Sequence, residues 1–419
     1  MKKCLLFLYL LLSAASVSAQ PDTTQQVISG RQNSPRQQQK PYVILISADG
    51  FRYDYADKYN ATTLKTLRAQ GVEAESMLPS FPSKTFPNHY TIVTGMYPAT
   101  HGLINNYFYD PNRKESYTLR DRDKVEDGSW YGGVPLWVLA EQQQMLTASY
   151  FWVGSEAPIQ GVWPTYYYKY NEKTAFEDRV KTVVSWLKLP EEKRPHLITL
   201  YLSEVDYAGH VFGPNAPETA AAVHVLDENI RKLTEAVAAT GLPVNYIFVS
   251  DHGMTEIDRD HTLPLPVAVD TAKFIVSGGE MVVELHAKNK RDIRPTYRRL
   301  KKEADGYRVY RKRNMPRHLH YGAKEDAYKR LGDILLLTEV PTVFNFSGRR
   351  PSPATHGFDP CTVKDMHATF YAWGPSFKKG IRIPSFRNTE VYPLVAELLG
   401  LRYTHKIDGT KKLVKEVLP

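Results

Sequence analysis

Cysteine is almost missing from this chain: Cys4 and Cys361 are the only two in 419 residues. Cys4 lies in an amino-terminal segment that reads as removed on export, so Cys361 would stand alone and an intrachain disulfide is excluded. At 42% hydrophobic content the chain is long enough to bury a large core without disulfide staples. Bilayer-length apolar runs are missing too. The amino-terminal one, Leu5 to Leu12, is too short to cross a membrane. Between Met1-Lys2-Lys3 and Val17-Ser18-Ala19 it reads as a secretory signal over residues 1–19, with Gln20 as the mature terminus. Cys4 falls too early to accept a lipid, so neither a lipid nor a transmembrane anchor is expected. Export without disulfides points to a bacterial periplasm. The polar stretch Gln20 to Lys40, rich in Gln, Ser and Thr, reads as a flexible linker. The sequence has no internal repeat and no nucleic-acid-binding motif, which argues against specific nucleic-acid binding.

Acidic charge is in deficit. The formal net charge is +9, and losing Lys2 and Lys3 would leave +7. Much of the excess lies between 288 and 313, at Lys288, Lys290, Arg291, Arg294, Arg298, Arg299, Lys301, Lys302, Arg311, Lys312 and Arg313. A solvated helical face accounts for such a cluster, and so does attraction of anionic substrates or envelope surfaces. Asn60-Ala61-Thr62 and Asn345-Phe346-Ser347 match glycosylation sequons, which mean little in a bacterial exporter.

Several apolar, β-branched runs end in acidic or histidine residues. Tyr42 to Ser47 leads into Asp49-Gly50, His196 to Leu202 into Glu204 and Asp206, and Tyr246 to Ser250 into Asp251-His252-Gly253. Uninterrupted apolar runs without alternation predict buried parallel strands. Helical patterns over 176–187 and 218–240 separate them, so the expected fold is α/β, a doubly wound, mostly parallel sheet flanked by helices. Ligands bind beyond the carboxyl ends of such strands, where these acids sit. Residues 262–350 break the alternation and read as an inserted subregion, and 368–373 restores it. One domain over 41–419 is expected.

Ser83-Lys84-Thr85-Phe86-Pro87-Asn88-His89-Tyr90 puts a hydroxyl where a loop becomes a helix. Such a hydroxyl can cap the helix or attack a phosphorus atom held at its N-terminus. Asp206 and His210 are four residues apart and would face one side of a helical turn. Asp49, Asp251, His252 and His356 each have a bland reading as turn or loop residues. A shared cause is more economical. Three carboxylates and three imidazoles at strand ends suit two zinc-class ions, whose residual positive charge favours a phosphate diester and would ionise Thr85 by coordination.

On these motifs, residues 41–400 resemble the nucleotide pyrophosphatase/phosphodiesterase family of the alkaline-phosphatase superfamily. Lys84 to Tyr90, Thr94-Gly95, His101-Gly102 with Asn105-Asn106, Asp206 to His210 with Gly213-Pro214, Asp251 to Met254, and His356-Gly357 carry the resemblance in order. It implies one zinc ion held by Asp206, His210 and His356, and a second held by Asp49, Asp251 and His252 beside a Thr85 nucleophile. Asn106 matches the residue that hydrogen-bonds a phosphate oxygen. Counterparts of the disulfide-rich accessory domains of animal members are not expected. Ser80-Phe81-Pro82-Ser83-Lys84 imitates a sulfatase signature, but the position that sulfatases modify is Thr85, and threonine cannot become their aldehyde.

On the substrate side, Phe86 offers an apolar wall. The ring-dense stretch 161–171 offers stacking or plain aromatic packing, with Tyr167 as the expected base-stacking residue and Tyr168 nearly as good. The expected activity is cleavage of small nucleotide diesters or pyrophosphates through a nucleotidyl-threonine, releasing nucleoside 5′-monophosphates. Phospholipid or other envelope diester hydrolysis, or phosphomonoester hydrolysis on the same metal core, are the alternatives.

Overall fold

The computed structural model describes residues 24–419. The expected signal segment, 1–19, lies outside them. The principal strands in chain order are β1 (Gln26–Val27), β2 (Tyr42–Ala48), β3 (Val72–Ala74), β4 (Thr147–Tyr150), β5 (Tyr166–Tyr167), β6 (Leu197–Leu202), β7 (Val244–Val249), β8 (Phe274–Gly279), β9 (Val282–Ala287), β10 (Tyr307–Arg311), β11 (Ile334–Thr338), β12 (Phe370–Trp373) and β13 (Ile381–Ile383). The helices that matter below are α1 (Thr85–Thr94), α2 (Phe176–Leu187), α3 (Glu204–Phe212), α4 (Pro217–Ala238) and α5 (Ile293–Glu303).

Nine strands form the main sheet in the order β1-β5-β4-β6-β2-β7-β12-β3-β13. The five from β5 to β7 run parallel, and β12 is antiparallel to both β7 and β3. The central strand β2 is buried throughout. Val43 and Leu45 pack into one core and Ile44 and Ile46 into another, on the opposite face. Burial on both faces is why these strands read as continuous apolar runs. Helix α4 covers one face with Val223, Leu226, Ile230, Leu233 and Val237 at helical spacing, starting on Pro217. Among the described residues no helix is long and apolar enough to cross a membrane.

Within 262–350, β8-β9-β11-β10 make a separate antiparallel sheet. Its alternation is strict. Val282, Leu335 and Leu337 join the main core, whereas Val283, Leu285, Ile334 and Leu336 face a second one with Ile293 and Leu300 of α5. Helix α5 is therefore the outer layer of the molecule on this side.

The linker expectation for 20–40 fails over its described part. Gln26–Val27 pairs with Tyr166–Tyr167, adding an edge strand. Asn33 is 1% exposed. Its Nδ2 donates to the carbonyls of Glu191 (2.8 Å) and Arg194 (2.7 Å), and its Oδ1 accepts from Leu146 N (2.7 Å). Gln37 Nε2 donates to Gln143 O at 2.9 Å. Composition suggests disorder because apolar residues are few, but these side-chain amides satisfy backbone groups that loops leave unpaired.

Candidate active site

The carboxyl ends of β2, β6 and β7 converge, as an open α/β sheet requires. Asp49 follows β2, Asp206 and His210 lie on α3 just after β6, and Asp251-His252 follows β7. Gly50 turns the chain away from Asp49 at φ +66°, and a Cβ there would lie 2.9 Å from Asp206. Only glycine lets the two acidic loops approach so closely. Thr85 is the first residue of α1, and His356 follows a two-residue strand that pairs with Thr255–Glu256.

All six expected metal ligands and one more residue meet here, beside Thr85. His252 Nε2 is 3.4 Å from Asp49 Oδ1, 2.9 Å from Asp251 Oδ2 and 3.3 Å from Thr85 Oγ1. Asp206 Oδ1 is 3.6 Å from His210 Nε2 and 3.8 Å from His356 Nε2. The His252 and His356 rings stack at 3.4 Å between centroids. Each imidazole turns Nδ1 to a backbone carbonyl. The partners are Gly253 O for His252 (2.9 Å), Ala354 O for His210 (3.0 Å) and Ser83 O for His356 (2.8 Å). These contacts set Nδ1 as the protonated nitrogen and aim the Nε2 lone pairs inward, as metal-ligating histidines do.

Charge makes the case for a cation. Asp49 Oδ1, Asp206 Oδ1 and Asp251 Oδ2 are buried oxygens without a hydrogen-bond partner. Burial, and then repulsion from Asp251 and Asp206, push the Asp49 carboxyl well above its ordinary range. Burial would raise Asp251 too, yet the His252 and His89 imidazoles hold it well below. Burial lowers His252, but the Asp251 carboxylate more than reverses this. Burial and the His252 charge push His356 well down. The ligand atoms of Asp206-His210-His356, Asp49-Asp206-His252 and Asp49-His89-Asp251 each gather within 4.8 Å. Orphaned oxygens beside inward-facing imidazole nitrogens fit divalent cations of the zinc class.

The seventh residue, His89, was not singled out in the sequence. It is fully buried on α1, one turn after Thr85. Nδ1 faces Thr85 O (3.0 Å) and Asp251 Oδ2 (3.3 Å), and Nε2 meets Ser47 Oγ (2.8 Å). The i, i+4 spacing from Thr85 was the available signal. Tyr201 was missed as well; its hydroxyl donates to Asp49 Oδ2 at 2.5 Å. Buried Asn88 donates from Nδ2 to the carbonyls of Ser80, Pro82 and Lys84, fastening the loop that precedes Thr85.

Two cavities flank the cluster. One, of about 230 Å³, is lined by Thr85, Phe86, Leu119, Phe151, Trp152 and Tyr170 among others, with the Arg122–Glu156 ion pair also in its wall. The other, of about 500 Å³, is polar, with Lys84, Asn106, Arg120, His210, Glu280 and His356 in its walls. Phe86 meets the first cavity as expected. Tyr167 does not. It is 8% exposed, held in β5 between β1 and β4, whereas Tyr170, three residues on, lines the cavity. The strand's pairing fixes which ring leaves the sheet, and spacing alone missed it.

Asn106 Oδ1 accepts from Phe86 N at 2.9 Å, so its Nδ2 remains the donor toward the cavity. A phosphorus atom held at the N-terminus of α1 would draw on the backbone N–H groups after Thr85, but these are engaged or missing. Phe86 N is committed to Asn106, Pro87 has no N–H, and Asn88 N bonds Lys84 O at 3.1 Å. Lys84 is ion-paired with Glu280, from the turn joining β8 to β9.

A doubly wound sheet with carboxylates and imidazoles gathered beyond its strand ends, beside a helix-terminal threonine, defines an α/β protein with a candidate metal centre. The family described as Type I phosphodiesterase / nucleotide pyrophosphatase matches residues 43–359, and the chain belongs to it. It is 35% identical over 386 residues to mouse ectonucleotide pyrophosphatase/phosphodiesterase family member 1, covering 88% of this chain and 42% of the relative. It is 34% identical over 374 residues to the venom phosphodiesterase of Naja atra, covering 86% and 44%. The chain thus spans less than half the length of these curated relatives. Human ectonucleotide pyrophosphatase / phosphodiesterase 5 superposes with a TM-score of 0.83 at 28% identity, over 91% of this chain and all of that one. An inactive threonine-to-alanine variant of the murine protein, in complex with AMP, also gives 0.83, at 27% identity over the same shares.

Proposed function

We propose that this chain hydrolyses nucleotide phosphodiester or pyrophosphate bonds and releases nucleoside 5′-monophosphates. The position of Thr85 Oγ1 carries the reading. It opens α1, lies 3.3 Å from His252 Nε2, and lines the aromatic cavity next to the lysine that lines the polar one. Asp206, His210 and His356 would hold one zinc ion, and Asp49, Asp251 and His252 a second, with the Thr85 oxygen beside it. When bound, the two ions would supply the positive charge that ionises the Thr85 hydroxyl and offsets charge on the phosphoryl oxygens.

Thr85 Oγ attacks phosphorus in line, and the bond to the leaving group breaks as the Thr85–phosphorus bond forms. The leaving oxygen takes up a proton. Water then attacks from the vacated side, breaks the Thr85–phosphorus bond and restores the hydroxyl. Asn106 Nδ2 donates to a phosphoryl oxygen, oriented by the Phe86 N–H. His89 holds Asp251, and Tyr201 holds Asp49. Phe86 and Tyr170 accept the nucleoside, and the polar cavity receives the leaving group. The AMP complex of the murine relative supports a nucleotide as the kind of molecule bound. A monoester would need a free cation at its third oxygen, and Lys84 is already paired with Glu280. Export to a bacterial periplasm, from residues 1–19, belongs to the same proposal.

Thr85→Ala should lower turnover of the p-nitrophenyl ester of thymidine 5′-monophosphate by orders of magnitude at unchanged Tm, and Thr85→Ser should keep part of it. Near-wild-type turnover by Thr85→Ala would remove the nucleophile. Faster cleavage of p-nitrophenyl phosphate than of the nucleotide ester would remove the diester preference.

A further inference from the structure

We propose that α5, the outer helix of the second sheet, docks the protein on an anionic phospholipid surface. Residues 288–313 hold twelve Lys or Arg and three Asp or Glu, a net of +9. The whole chain's formal net charge is also +9, so the remaining residues balance one another. The positive excess therefore lies in one stretch of sequence, where, among the described residues, only Arg308 and Lys312 are paired with acids from outside it, Glu339 and Asp326.

The helix orders it further. Ile293 and Leu300 are buried and Tyr297 half-buried, one apolar stripe against the sheet. Arg294, Arg298, Lys301 and Lys302 follow at i, i+4, i+7 and i+8, all exposed, on a second stripe facing away. That stripe covers roughly 12 Å of helix axis. Exposed Lys290 and Arg291, in the turn before α5, extend it. Only Arg299 on this helix is ion-paired, to Glu303 at 2.9 Å. Among the described residues the four stripe residues have no acidic partner.

Charge complementarity selects a polyanion, and the surface favours a bilayer over a polynucleotide. Single strands bind where basic grooves carry exposed rings for stacking. Here the face is a convex helix, and Tyr297, Tyr307 and Tyr310 are half-buried. A plane of lipid phosphates meets all four cations at once, and each basic residue near such a surface strengthens attachment several-fold. Because α5 is the outer layer over its sheet, docking through it needs no residue of the candidate active site.

The test is cosedimentation of the whole protein with vesicles of phosphatidylcholine alone, or mixed with phosphatidylglycerol, at low and high salt. The wild-type protein should bind the mixed vesicles, leave the neutral ones, and be released by salt as the Debye length shrinks. Arg294→Gln, Arg298→Gln, Lys301→Gln and Lys302→Gln together should weaken binding by roughly several hundred-fold. Lys188, Lys379, Lys406 and Lys415, exposed and scattered elsewhere, changed to Gln should leave most of it at the same net charge. Equal loss in both quadruple variants, or equal wild-type binding to both vesicle types, would overturn the proposal. So would a single-stranded oligonucleotide that displaces the protein from vesicles through the same four residues. Tm values matching wild type show that the variants fold, and the wild-type salt and lipid dependence stands without them.

Discussion

Replacing Tyr170 by alanine separates substrate stacking from strand packing, because a neighbouring tyrosine provides the contrast. Tyr170 is 38% exposed and lines the aromatic cavity, with its ring 5.2 Å from Phe151 and 5.9 Å from Tyr201. Both contacts are edge-to-face rather than stacked, at 77° and 68° between ring planes. Stacking of a base on such a ring contributes roughly 1–3 kcal/mol, so Tyr170→Ala should lower kcat/KM for nucleoside diesters by about five- to 150-fold. Bis(p-nitrophenyl) phosphate, which lacks a nucleoside, gives the baseline, and its kcat/KM should fall far less. Tyr167→Ala should do the reverse. It removes a buried ring from β5, costs stability on the order of 3 kcal/mol, and leaves the ratio between the two substrates near wild type. The assay is the ratio of the two kcat/KM values in each variant, with Tm measured alongside. If Tyr167→Ala moved the ratio and Tyr170→Ala did not, the assignment of the aromatic cavity to the nucleoside would be refuted.

Three further outcomes are expected. Elemental analysis of active protein should give two zinc equivalents per chain, and His210→Ala and His356→Ala should each weaken the same one; one metal in fully active protein would sink the two-site arrangement. Asn33→Ala should cost about 1–3 kcal/mol in urea unfolding, since it leaves the carbonyls of Glu191 and Arg194 and the Leu146 N–H unpaired; no change would return the 24–40 segment to a loose tether. Burial raises the Glu284 carboxyl from 4.5 to about 7, against the Tyr321 hydroxyl that bonds it at 2.7 Å. The folded state therefore holds this proton more tightly. Its stabilising effect is complete below pH 4.5 and is lost as pH rises toward 7, by about 3 kcal/mol. Calorimetry from pH 5 to 8 should show a smaller fall for Glu284→Gln than for wild type, and parallel curves would show that Glu284 does not titrate in this window.

The sheet and its acidic ends were legible because burial on both faces leaves a plain mark: Val43 to Ile46 contains no polar residue. Asp49, Asp206, Asp251 and His252 were legible for the same reason, since each follows such a strand closely. Thr85 opens α1 after a loop and His356 lies in a loop, and only their motifs marked them. What stayed hidden depends on side-chain direction. His89 points inward because Thr85 sits one turn before it. Tyr170 reaches the cavity because β5 has already ended, and Tyr167 is held in the ladder by Gln26 and Ser149. The 24–40 strap escaped because its anchors are amides, which a count of apolar residues scores as disorder.

Asp49, Asp206, His210 and His356 of the cluster, and Thr85 beside it, also line the two cavities, but most of the remaining wall residues come from other parts of the chain. The cluster is set by the strand ends of the main sheet and the start of α1. These other wall residues are lent chiefly by the segments around 119–126, 151–156 and 170, and by Glu280 from the second sheet. The part of the wall that the cluster does not supply is thus separable from it in this fold. A graft exchanging only the wall segments with a relative of different substrate preference would leave all seven clustered residues on their native supports.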